Sequence, residues 1–353
     1  MDAGNHRCAC HAVAARPLLP PGPLAGRVLL GSALKRVLLT DTIAPAGEEA
    51  LRREVEVVRA PDSDVATLRR WARDVDGVLT RSKLPDDLFE AAPRVRGVVV
   101  HGTGTDLVPV AAATARGVMV ANLPGINAQS VAEYCAMAML MLARNIGAIT
   151  SRLRASSWDD ARRLGAGARE LAGMTLGIVG VGEIGGRLAK IARNGFGMKV
   201  LGHQRRLDRL PPEAQPASFE ELISRSDFVA LACPLTPQTR YLMNRESLQR
   251  MKPSAWLINV GRGPVVQEEA LVDALRAKRI AGAMLDVYEH YRLEPGHPLF
   301  ALDNVILTPH LAAVTQESRA RASVAAADEM LRILRGERPR NLVNPEVLKK
   351  ELT

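Results

Sequence analysis

Short apolar runs rich in branched residues alternate with polar stretches of helical character along most of the chain, beginning at Lys35. The strand-like segments KRVLLTD and EVEVVRAP open this series, and the alternation recurs in DVATLRRWARDVDGVLT, PDDLFEAAPRVRGVVVHGTGTD and VAAATARGVMVANLPG. A regular succession of short buried strands and helices is typical of βαβ units, which form parallel sheets. The pattern predicts a first α/β domain over residues 35–128.

A second series follows a long helical segment that the pattern predicts at about residues 129–144. Its candidate strands are TLGIVG, MKVLGH, DFVALAC, AWLINVG, AGAMLDV and NVILTPH. Helical stretches separate the first five of them, and a loop with proline and glycine precedes the last. Six parallel strands of this kind indicate a doubly wound, dinucleotide-binding sheet. We therefore expect a second α/β domain over residues 129–317 and a cleft between the two domains.

The amphipathic stretch QESRARASVAAADEMLRILRG predicts one further helix, which Gly336 and Pro339 end. We expect residues 318–345 to complete the first domain. No apolar stretch reaches the roughly 20 residues that a membrane span requires. The richest one, YCAMAMLMLA, follows Glu133 and indicates a buried or subunit-interface helix.

Residues 1–34 are rich in alanine, proline and arginine and show neither a helical nor a strand period. They lack the continuous apolar core of a secretion signal, so we expect a disordered leader, or a start site placed too far upstream. Cysteines at positions 8, 10, 135 and 233 are too few for a disulfide framework in a chain of 353 residues and indicate reduced thiols in a cytoplasmic protein. No second ligand pair follows Cys8, Cys10 and His11, so no metal site is predicted.

Charge changes the picture only slightly. The 47 basic and 38 acidic residues give a net charge of +9, and no run of five like charges occurs. A mild surplus spread over a large chain favours anionic small molecules as partners and argues hardly at all for DNA. With aromatic residues at 3%, the chain offers few stacking platforms for single-stranded nucleic acid. We expect a small-molecule partner, and neither a nucleic acid nor a membrane.

The segment LGIVGVGEIGG places Gly180, Gly182 and Gly185 in the G-x-G-x-x-G pattern, between the strand TLGIV and a helix that begins near Glu183. The first glycine permits a tight turn, the second permits close approach of a pyrophosphate, and the third permits close packing of helix on strand. The helix N-terminus then faces the negative charge. This context predicts dinucleotide binding; the alternative is a purely structural glycine turn.

The second strand of that unit ends in KVLGHQRRLD, where an acidic residue would normally accept the hydroxyls of the adenosine ribose. Gln204 stands at this position instead, and Arg205 and Arg206 follow it. Two guanidinium groups would attract a 2′-phosphate and could bind its oxygens in a fork. The sequence therefore favours NADP over NAD. The alternative is that both arginines are solvated surface residues and that Asp208 contacts the ribose.

Three segments together resemble the D-isomer-specific 2-hydroxyacid dehydrogenases: LAGMTLGIVGVGEIGGRLAKIARNGFGMKV, LINVGRGPVVQEEALVDALRAKRIAGAMLDV and NVILTPHLAAVTQES. The resemblance extends from about residue 35 to residue 345. It implies a flavodoxin-like substrate domain over 35–128, completed by 318–345, and a Rossmann cofactor domain over 129–317. It also implies reversible hydride transfer between NADP or NAD and a 2-hydroxy acid.

The resemblance assigns the catalytic groups. The turn NVGRG supplies Arg262, which would bind the substrate carboxylate and polarise the keto group. A guanidinium just past the carboxyl end of a parallel strand also faces the crevice where such sheets bind ligands. LTPHLAA supplies His310 as the acid–base residue. Sequence reasoning alone does not choose among His101, His297 and His310, because all three lie in loops near the expected domain edges.

A glutamate before a proline is the histidine's partner in this family, and Glu294 with Pro295 matches it. A carboxylate beside the imidazole is expected to hold it as imidazolium and to raise its pKa toward neutrality or above. The segment DVYEHYRLEP is about three residues longer than the common family form. Glu289 therefore stays an alternative to Glu294.

Backbone amides of a glycine loop in the first domain bind the substrate carboxylate in this family, and HGTGTD offers Gly102, Thr103 and Gly104 for this role. A simple strand-to-helix turn is the alternative. By the same resemblance, Cys233 would be a wall residue of the cofactor site and not a nucleophile. The other residues that the resemblance assigns to the cofactor are Glu183, Ile184, Pro234, Val260, Asp286 and Ala313.

The sequence thus predicts a 2-keto acid reductase in which His310 donates the proton. The HQRR segment favours the NADPH-linked glyoxylate or hydroxypyruvate reductases. One alternative is an NAD-linked enzyme of the phosphoglycerate dehydrogenase type, and a second is a dinucleotide-sensing, corepressor-like binding protein, because a fold does not fix a function. The resemblance also implies a homodimer, with the helix around SVAEYCAMAML near both the cofactor and the interface.

Overall fold

The computed structural model describes residues 34–155 and 158–352. From Lys35 onward the described chain belongs to one compact unit, which contains two separate parallel sheets. The disordered leader predicted for residues 1–34 and the cluster of Cys8, Cys10 and His11 lie outside the described residues, Leu34 excepted.

The first sheet has five parallel strands, most of them short runs of buried apolar residues. Helices cover both faces of a parallel sheet, so its strands carry near-continuous apolar runs and no alternating pattern. The strand order β2-β1-β3-β4-β5 is the flavodoxin-like one. The strands are β1 (Arg36–Leu39), β2 (Glu56–Arg59), β3 (Gly77–Thr80), β4 (Gly97–Val100) and β5 (Met119–Ala121).

The second sheet is parallel as well and has seven strands in the order β12-β11-β10-β9-β6-β7-β8. Counted from β6 as its first strand, six neighbours have the Rossmann order 3-2-1-4-5-6, and the seventh strand extends one edge. The strands are β6 (Thr175–Val179), β7 (Lys199–His203), β8 (Gln215–Pro216), β9 (Phe228–Leu231), β10 (Trp256–Asn259), β11 (Gly282–Leu285) and β12 (Val305–Leu307).

Amphipathic helices pack on these sheets and enclose a hydrophobic core on each face. The α-helices of the described residues are α1 (Pro45–Arg52), α2 (Val65–Ala72), α3 (Leu88–Ala91), α4 (Val110–Ala115), α5 (Ala128–Ala143), α6 (Ile146–Ala155), α7 (Trp158–Leu164), α8 (Glu183–Lys190), α9 (Phe219–Arg225), α10 (Arg245–Arg250), α11 (Glu268–Arg276) and α12 (Gln316–Leu334). A π-helical turn, Ile191–Gly195, continues α8. Within the described residues, no helix is long and apolar enough to cross a membrane.

The last long helix, α12, returns to the first sheet. A side chain at Gly77 on β3 would lie 2.4 Å from the Met330 sulfur, and one at Gly97 on β4 would lie 2.5 Å from Ile333. These two glycines therefore allow α12 to pack directly on the strands. Beyond the helix, buried Asn344 accepts a hydrogen bond from the Val120 amide at 2.8 Å, which fixes the chain against β5.

The fold class predicted from the sequence, two doubly wound parallel-sheet domains, is confirmed. The six strands predicted for the second sheet are all present, and α5 begins and ends one residue before the predicted helix. One strand, β8, was missed, because its two exposed residues give no apolar run. In sheets of this type ligands bind at the carboxyl ends of the strands, so functional side chains are expected there.

Candidate active site

The glycine turn lies between β6 and α8, as its pattern predicts. Gly180 has a φ of +92°, and a Cβ there would lie 2.6 Å from the Cys233 amide nitrogen. A Cβ at Gly185 would lie 2.4 Å from the carbonyl oxygen of Gly180, so this glycine lets α8 approach the strand. At Gly182 nothing lies within 4 Å of the added Cβ, so the protein leaves open space at this position.

Open space at Gly182 is where a pyrophosphate approaches the backbone in this type of turn. In the described structure, the amides of Glu183 and Ile184 at the start of α8 donate to no protein acceptor. The positive end of the helix therefore faces the space beside Gly182 with free donors. The residues present fit the diphosphate of a dinucleotide.

The loop after β7 carries the cationic candidates. The Arg206 guanidinium donates to Asp208 at 3.0 Å, and the Gln204 amide donates to the Arg206 carbonyl at 2.8 Å. Arg205 is exposed, and among the described residues it has neither an ion pair nor a hydrogen bond. One guanidinium is thus free for an anion, whereas Asp208 partly neutralises the other.

Residues assigned to the cofactor walls lie at the carboxyl ends of the central strands. Cys233 follows β9 and Val260 follows β10, and both are buried. Burial raises the pKa of the Cys233 thiol to about 11, so it stays protonated at neutral pH. Pro234 and Ala313, in the loops after β9 and β12, are exposed and half-buried. The protonated thiol of Cys233 therefore has the character of a small apolar side chain.

Arg262 lies in the turn after β10, and buried polar groups shape that turn. The Asn259 side chain accepts from the Gly261 amide and donates to the Arg262 carbonyl, both at 3.1 Å. A Cβ at Gly263 would lie 1.7 Å from the Tyr288 carbonyl oxygen, so only glycine fits there. These constraints fix the backbone from which the guanidinium projects.

The Arg262 guanidinium contacts the first domain. Its Nε and Nη2 atoms donate to Oδ1 of Asp106 at 3.0 and 2.8 Å, and Nη1 donates to the Gly261 carbonyl at 2.8 Å. A Cβ at Gly104 would lie 1.7 Å from Nη2, so the guanidinium packs against that glycine. The loops that follow β4 and β10 therefore meet at this arginine.

The glycine loop after β4 offers unpaired donors beside that guanidinium. Its carbonyl groups are engaged: the Gly102 oxygen accepts from the Leu123 amide at 2.8 Å, and the Thr103 oxygen accepts from the Asn122 side chain at 2.6 Å. In the part of the chain that the structure describes, the amides of Gly102, Thr103 and Gly104 donate to no acceptor. Free amides and a guanidinium together suit a carboxylate.

His310 follows β12 in a strained turn, with a φ of +57°. The carboxylate of Asp286, which is 1% exposed, organises this turn. It accepts hydrogen bonds from the Thr308 hydroxyl and the Leu311 amide at 2.7 Å, and from the Ala312 amide at 2.9 Å. The backbone carbonyl of Asp286 accepts from the His310 amide at 2.9 Å. Asp286 thus holds the histidine's loop from below.

Partial burial of the imidazole is the largest influence on the pKa of His310 and lowers it below the ordinary value, although the residue as a whole is exposed. The Asp286 charge acts in the opposite direction, Arg262 lowers the pKa further, and Asp106 raises it. The expectation of a raised pKa is therefore wrong for this arrangement, because burial outweighs the nearby carboxylates. Arg262, Asp106 and His310 nevertheless act on one another electrostatically and form one site.

The other two histidines considered from the sequence are engaged elsewhere. Nε2 of His101 is 2.8 Å from the Ser323 hydroxyl, and burial, followed by the charge of Arg81, lowers its pKa to about 4. His297 pairs with Glu268 at 3.1 Å and begins a short 3-10 helix. Of the three, His310 is the one that lies with Arg262.

Neither candidate glutamate contacts His310. Glu294 is exposed, and within the described residues its carboxylate has no hydrogen bond or ion pair. Glu289 accepts from the Tyr241 hydroxyl and from the Glu268 amide. The segment between them instead brings the exposed ring of Tyr291 edge-on to the imidazole, with centroids 6.1 Å apart. The choice of Glu294 over Glu289 stays a prediction.

Sequence reasoning missed the role of Asp106, although it lies in the same loop as the predicted glycines. A carboxylate that ends a glycine loop after a strand was the available signal, but its partner is 156 residues away. Sequence reasoning also missed Tyr134 on α5, whose hydroxyl contacts that of Thr308 next to the His310 turn. Both contacts depend on how the elements pack and leave no local pattern.

Known proteins are similar to this chain in sequence and in fold. The model of the D-isomer specific 2-hydroxyacid dehydrogenase NAD binding domain matches residues 136–312. A glyoxylate reductase of Thermofilum pendens is 37% identical over 325 residues, which cover 89% of this chain and 96% of the relative. A D-3-phosphoglycerate dehydrogenase of Methanocaldococcus jannaschii is 36% identical over 326 residues, 90% of this chain and 61% of the relative.

Among solved structures, an NADPH-dependent glyoxylate/hydroxypyruvate reductase of Sinorhizobium meliloti, in complex with NADP and malonate, superposes with a TM-score of 0.77. It is 31% identical, and the alignment covers 89% of this chain and 98% of that one. The alignments with these relatives thus extend over about nine tenths of the chain. The chain belongs to the D-isomer-specific 2-hydroxyacid dehydrogenase family and is an NAD(P)-dependent oxidoreductase of 2-hydroxy acids.

Proposed function

We propose that this enzyme reduces a small 2-keto acid, glyoxylate or hydroxypyruvate, with NADPH. One observation carries the proposal: a guanidinium, an imidazole and a loop with unpaired amides come together where the two domains meet. The bound dinucleotide would supply the hydride to the carbonyl carbon of the substrate. The remaining steps fall to side chains and amides of the chain itself.

Arg262 and the amides of Gly102, Thr103 and Gly104 bind the substrate carboxylate in this proposal. The guanidinium also polarises the keto oxygen, which develops negative charge during reduction. His310, when protonated, donates its proton to that oxygen. Because the site would hold the proton donor beside the bound substrate, proton transfer would need no separate encounter between the two. Glu294 stays our candidate for a carboxylate that approaches His310.

The glycine turn and the start of α8 hold the diphosphate, and the loop after β7 selects the nucleotide. Arg205 is free to bind a 2′-phosphate, and Gln204 puts no negative charge where that phosphate would lie. A charge-assisted bond to phosphate is stronger than a neutral one. These residues support NADPH over NADH.

The proposal includes a homodimer. Exposed apolar side chains lie on α5, where the resemblance implied an interface, and further ones follow on α6 and at the start of α7. They are Met137, Leu140, Ile146, Leu153 and Trp158, and Trp158 is 67% exposed. An apolar strip of this kind indicates an interaction surface. Light scattering at micromolar concentration tests the proposal, and a monomeric mass would contradict it. Cytoplasmic location likewise stays a proposal, supported by the free thiols of Cys135 and Cys233.

Steady-state kinetics at pH 7 test the proposed reaction. We expect glyoxylate and hydroxypyruvate to be reduced with NADPH at least about tenfold more efficiently than with NADH, since a lost charged hydrogen bond costs at least that factor. Preference for NADH with 3-phosphohydroxypyruvate would favour the phosphoglycerate dehydrogenase type, to which a 36% identical relative belongs. Tight cofactor binding without turnover would favour a dinucleotide-sensing binding protein.

A further inference from the structure

One carboxylate in the site has no part in the mechanism described so far. Asp106 lies in the first domain, and a single oxygen of its side chain accepts from two nitrogens of Arg262 in the second domain. Burial by itself would raise the pKa of Asp106, but hydrogen bonds from Arg262 and its charge lower that pKa overall. Asp106 is therefore ionised wherever the enzyme would work.

Within the part of the chain that the structure describes, the contacts of the Arg262 guanidinium leave two of its donor hydrogens without an acceptor. Asp106 occupies the Nε side and one hydrogen of Nη2, and the Gly261 carbonyl occupies one hydrogen of Nη1. A guanidinium has five donors, so one hydrogen on each of Nη1 and Nη2 is left. Both terminal nitrogens of the group therefore keep a donor with which to bind the carboxylate of the substrate.

We propose that Asp106 is a positioning residue, which holds Arg262 across the two domains so that its remaining donors meet the carboxylate of the 2-keto acid. The inference rests on the proposed function and deepens it. Without Asp106, the long arginine side chain would keep only the Gly261 contact and the packing on Gly104. It would then adopt several orientations, and substrate binding would have to select one of them.

Asp106 also contributes to the electrostatics of His310. The charged groups that face the imidazole are Asp286 beneath the turn, Arg262 and Asp106, and the uncharged ring of Tyr291 lies at its edge. Asp106 raises the pKa of His310, and Arg262 lowers it. Removing the Asp106 charge therefore removes an upward influence and leaves the arginine uncompensated. The positioning residue and the proton donor are linked in this way.

The opposite role for Asp106 is competition, because it binds the same guanidinium as the substrate carboxylate. The two roles differ in sign. A competitor, once removed, would let the substrate bind more tightly, whereas the loss of a positioning group weakens binding. Kinetics of one set of variants therefore distinguish them.

The test compares Asp106→Ala and Asp106→Asn with the wild type. We expect Asp106→Ala to raise KM for glyoxylate and to lower kcat/KM by about ten- to 100-fold, the scale of a misplaced binding group. Asp106→Asn keeps an acceptor oxygen and should lose only about three- to tenfold, as for one weakened hydrogen bond. A lower KM in Asp106→Ala, or kinetics unchanged in both variants, would overturn the proposal.

The matched control is Asp87→Asn, which breaks a similarly exposed aspartate–arginine pair, with Arg69, in the same domain. It should leave the kinetics unchanged. In a second readout, NMR titration of isotope-labelled histidine, the pKa of His310 should fall in both Asp106 variants and stay constant in the control. This titration needs no turnover, so it tests the Asp106 role even if no 2-keto acid is reduced. An unchanged His310 pKa would count against the proposal.

Discussion

Two glycine loops, one in each domain, have unpaired backbone amides that could bind an anion, but the positive charge beside those amides comes from different sources. Each follows the carboxyl end of a parallel strand with a neighbour on both sides, and among the described residues each has backbone amides without a protein acceptor. The turn after β6 runs directly into α8, so the helix itself supplies positive potential. The loop after β4 reaches its helix, α4, only at Val110, so no helix begins at its free amides, and the loop receives the Arg262 guanidinium from the other domain instead.

The turn around Gly180 thus depends on residues that are close together in the sequence, whereas the loop around Gly104 depends on a residue that is distant in the sequence. The motif around Gly180 contains everything a diphosphate needs within one βαβ unit. In the proposed function, the loop around Gly104 needs an arginine more than 150 residues away, so it would bind an anion only when both domains are folded and in contact. Cofactor binding should therefore depend on local geometry, and substrate binding on the contact between domains.

The largest expected effect concerns two glycines of the turn after β6. In Gly185→Ala the new methyl group would meet the Gly180 carbonyl, which is backbone and cannot move aside. We expect a loss of about 1–3 kcal/mol in the free energy of unfolding, as for other overpacked sites. Gly182→Ala has room in the protein, so its stability should be unchanged. NADPH affinity should nevertheless fall about tenfold or more, because the methyl group takes the space of the pyrophosphate.

Thermal unfolding and NADPH fluorescence titration, made on both variants, separate these two effects. Gly167→Ala is a suitable control, since it also adds a methyl group in open space, away from the glycine turn. Wild-type affinity in Gly182→Ala would mean that the diphosphate does not pass this glycine, and the comparison of the two loops would lose its basis.

The second effect concerns the loop after β4. In Gly104→Ala the new methyl group would displace the Arg262 guanidinium, because its position lies within 2 Å of Nη2. KM for glyoxylate should rise about tenfold or more, the scale of a misaligned charged group. The dissociation constant of NADPH, measured separately, should not change. A joint loss of cofactor and substrate binding would show that the two loops are not independent.

The third effect is the pH dependence of the reaction. Burial, the largest influence, lowers the pKa of His310 from 6.5. In the proposed mechanism reduction needs the protonated imidazole of His310, so kcat/KM for a 2-keto acid should be highest below this pKa and should fall as pH rises through it. Oxidation of the 2-hydroxy acid needs the neutral imidazole and should show the reverse dependence. Measuring both directions from pH 5 to 9 tests this sign, and a midpoint above pH 7 in the reductive direction would contradict it.

The same division between local and long-range contacts decides which features the sequence could predict. The individual strands of the two sheets and the tight turn at Gly180 depend on local apolar runs and on one short motif, and both were predicted from the sequence. The pairing of Asp106 with Arg262 and the hold of Asp286 on the His310 turn join distant segments. No local pattern encodes them, since they depend on which strand ends become neighbours.

The segment between Asp286 and His297 shows a second limit. The sequence showed that this segment is longer than the common family form, but it did not show where the side chains of the segment would lie. Glu294 remains exposed without a partner among the described residues, while Tyr291 comes to lie against the imidazole. The path of an irregular loop depends on many weak contacts of similar strength, whereas a strand follows from the burial of a few apolar residues.

The smallest effect concerns the edge of the cofactor site, where the sequence left two possibilities for Asp208. The structure pairs this carboxylate with Arg206 at 3.0 Å, in a pair that is well exposed on both sides. Asp208→Asn would free the guanidinium for a 2′-phosphate, and the ratio of kcat/KM for NADPH to that for NADH should rise about two- to fivefold, as exposed ion pairs are weak. Glu246→Gln, which frees Arg250 from an exposed pair on α10, is the control and should leave the ratio unchanged. A fall in NADH efficiency with no gain for NADPH would instead mean that Asp208 contacts the ribose hydroxyls, so that the loop after β7 selects NAD by its carboxylate and not NADP by its arginines.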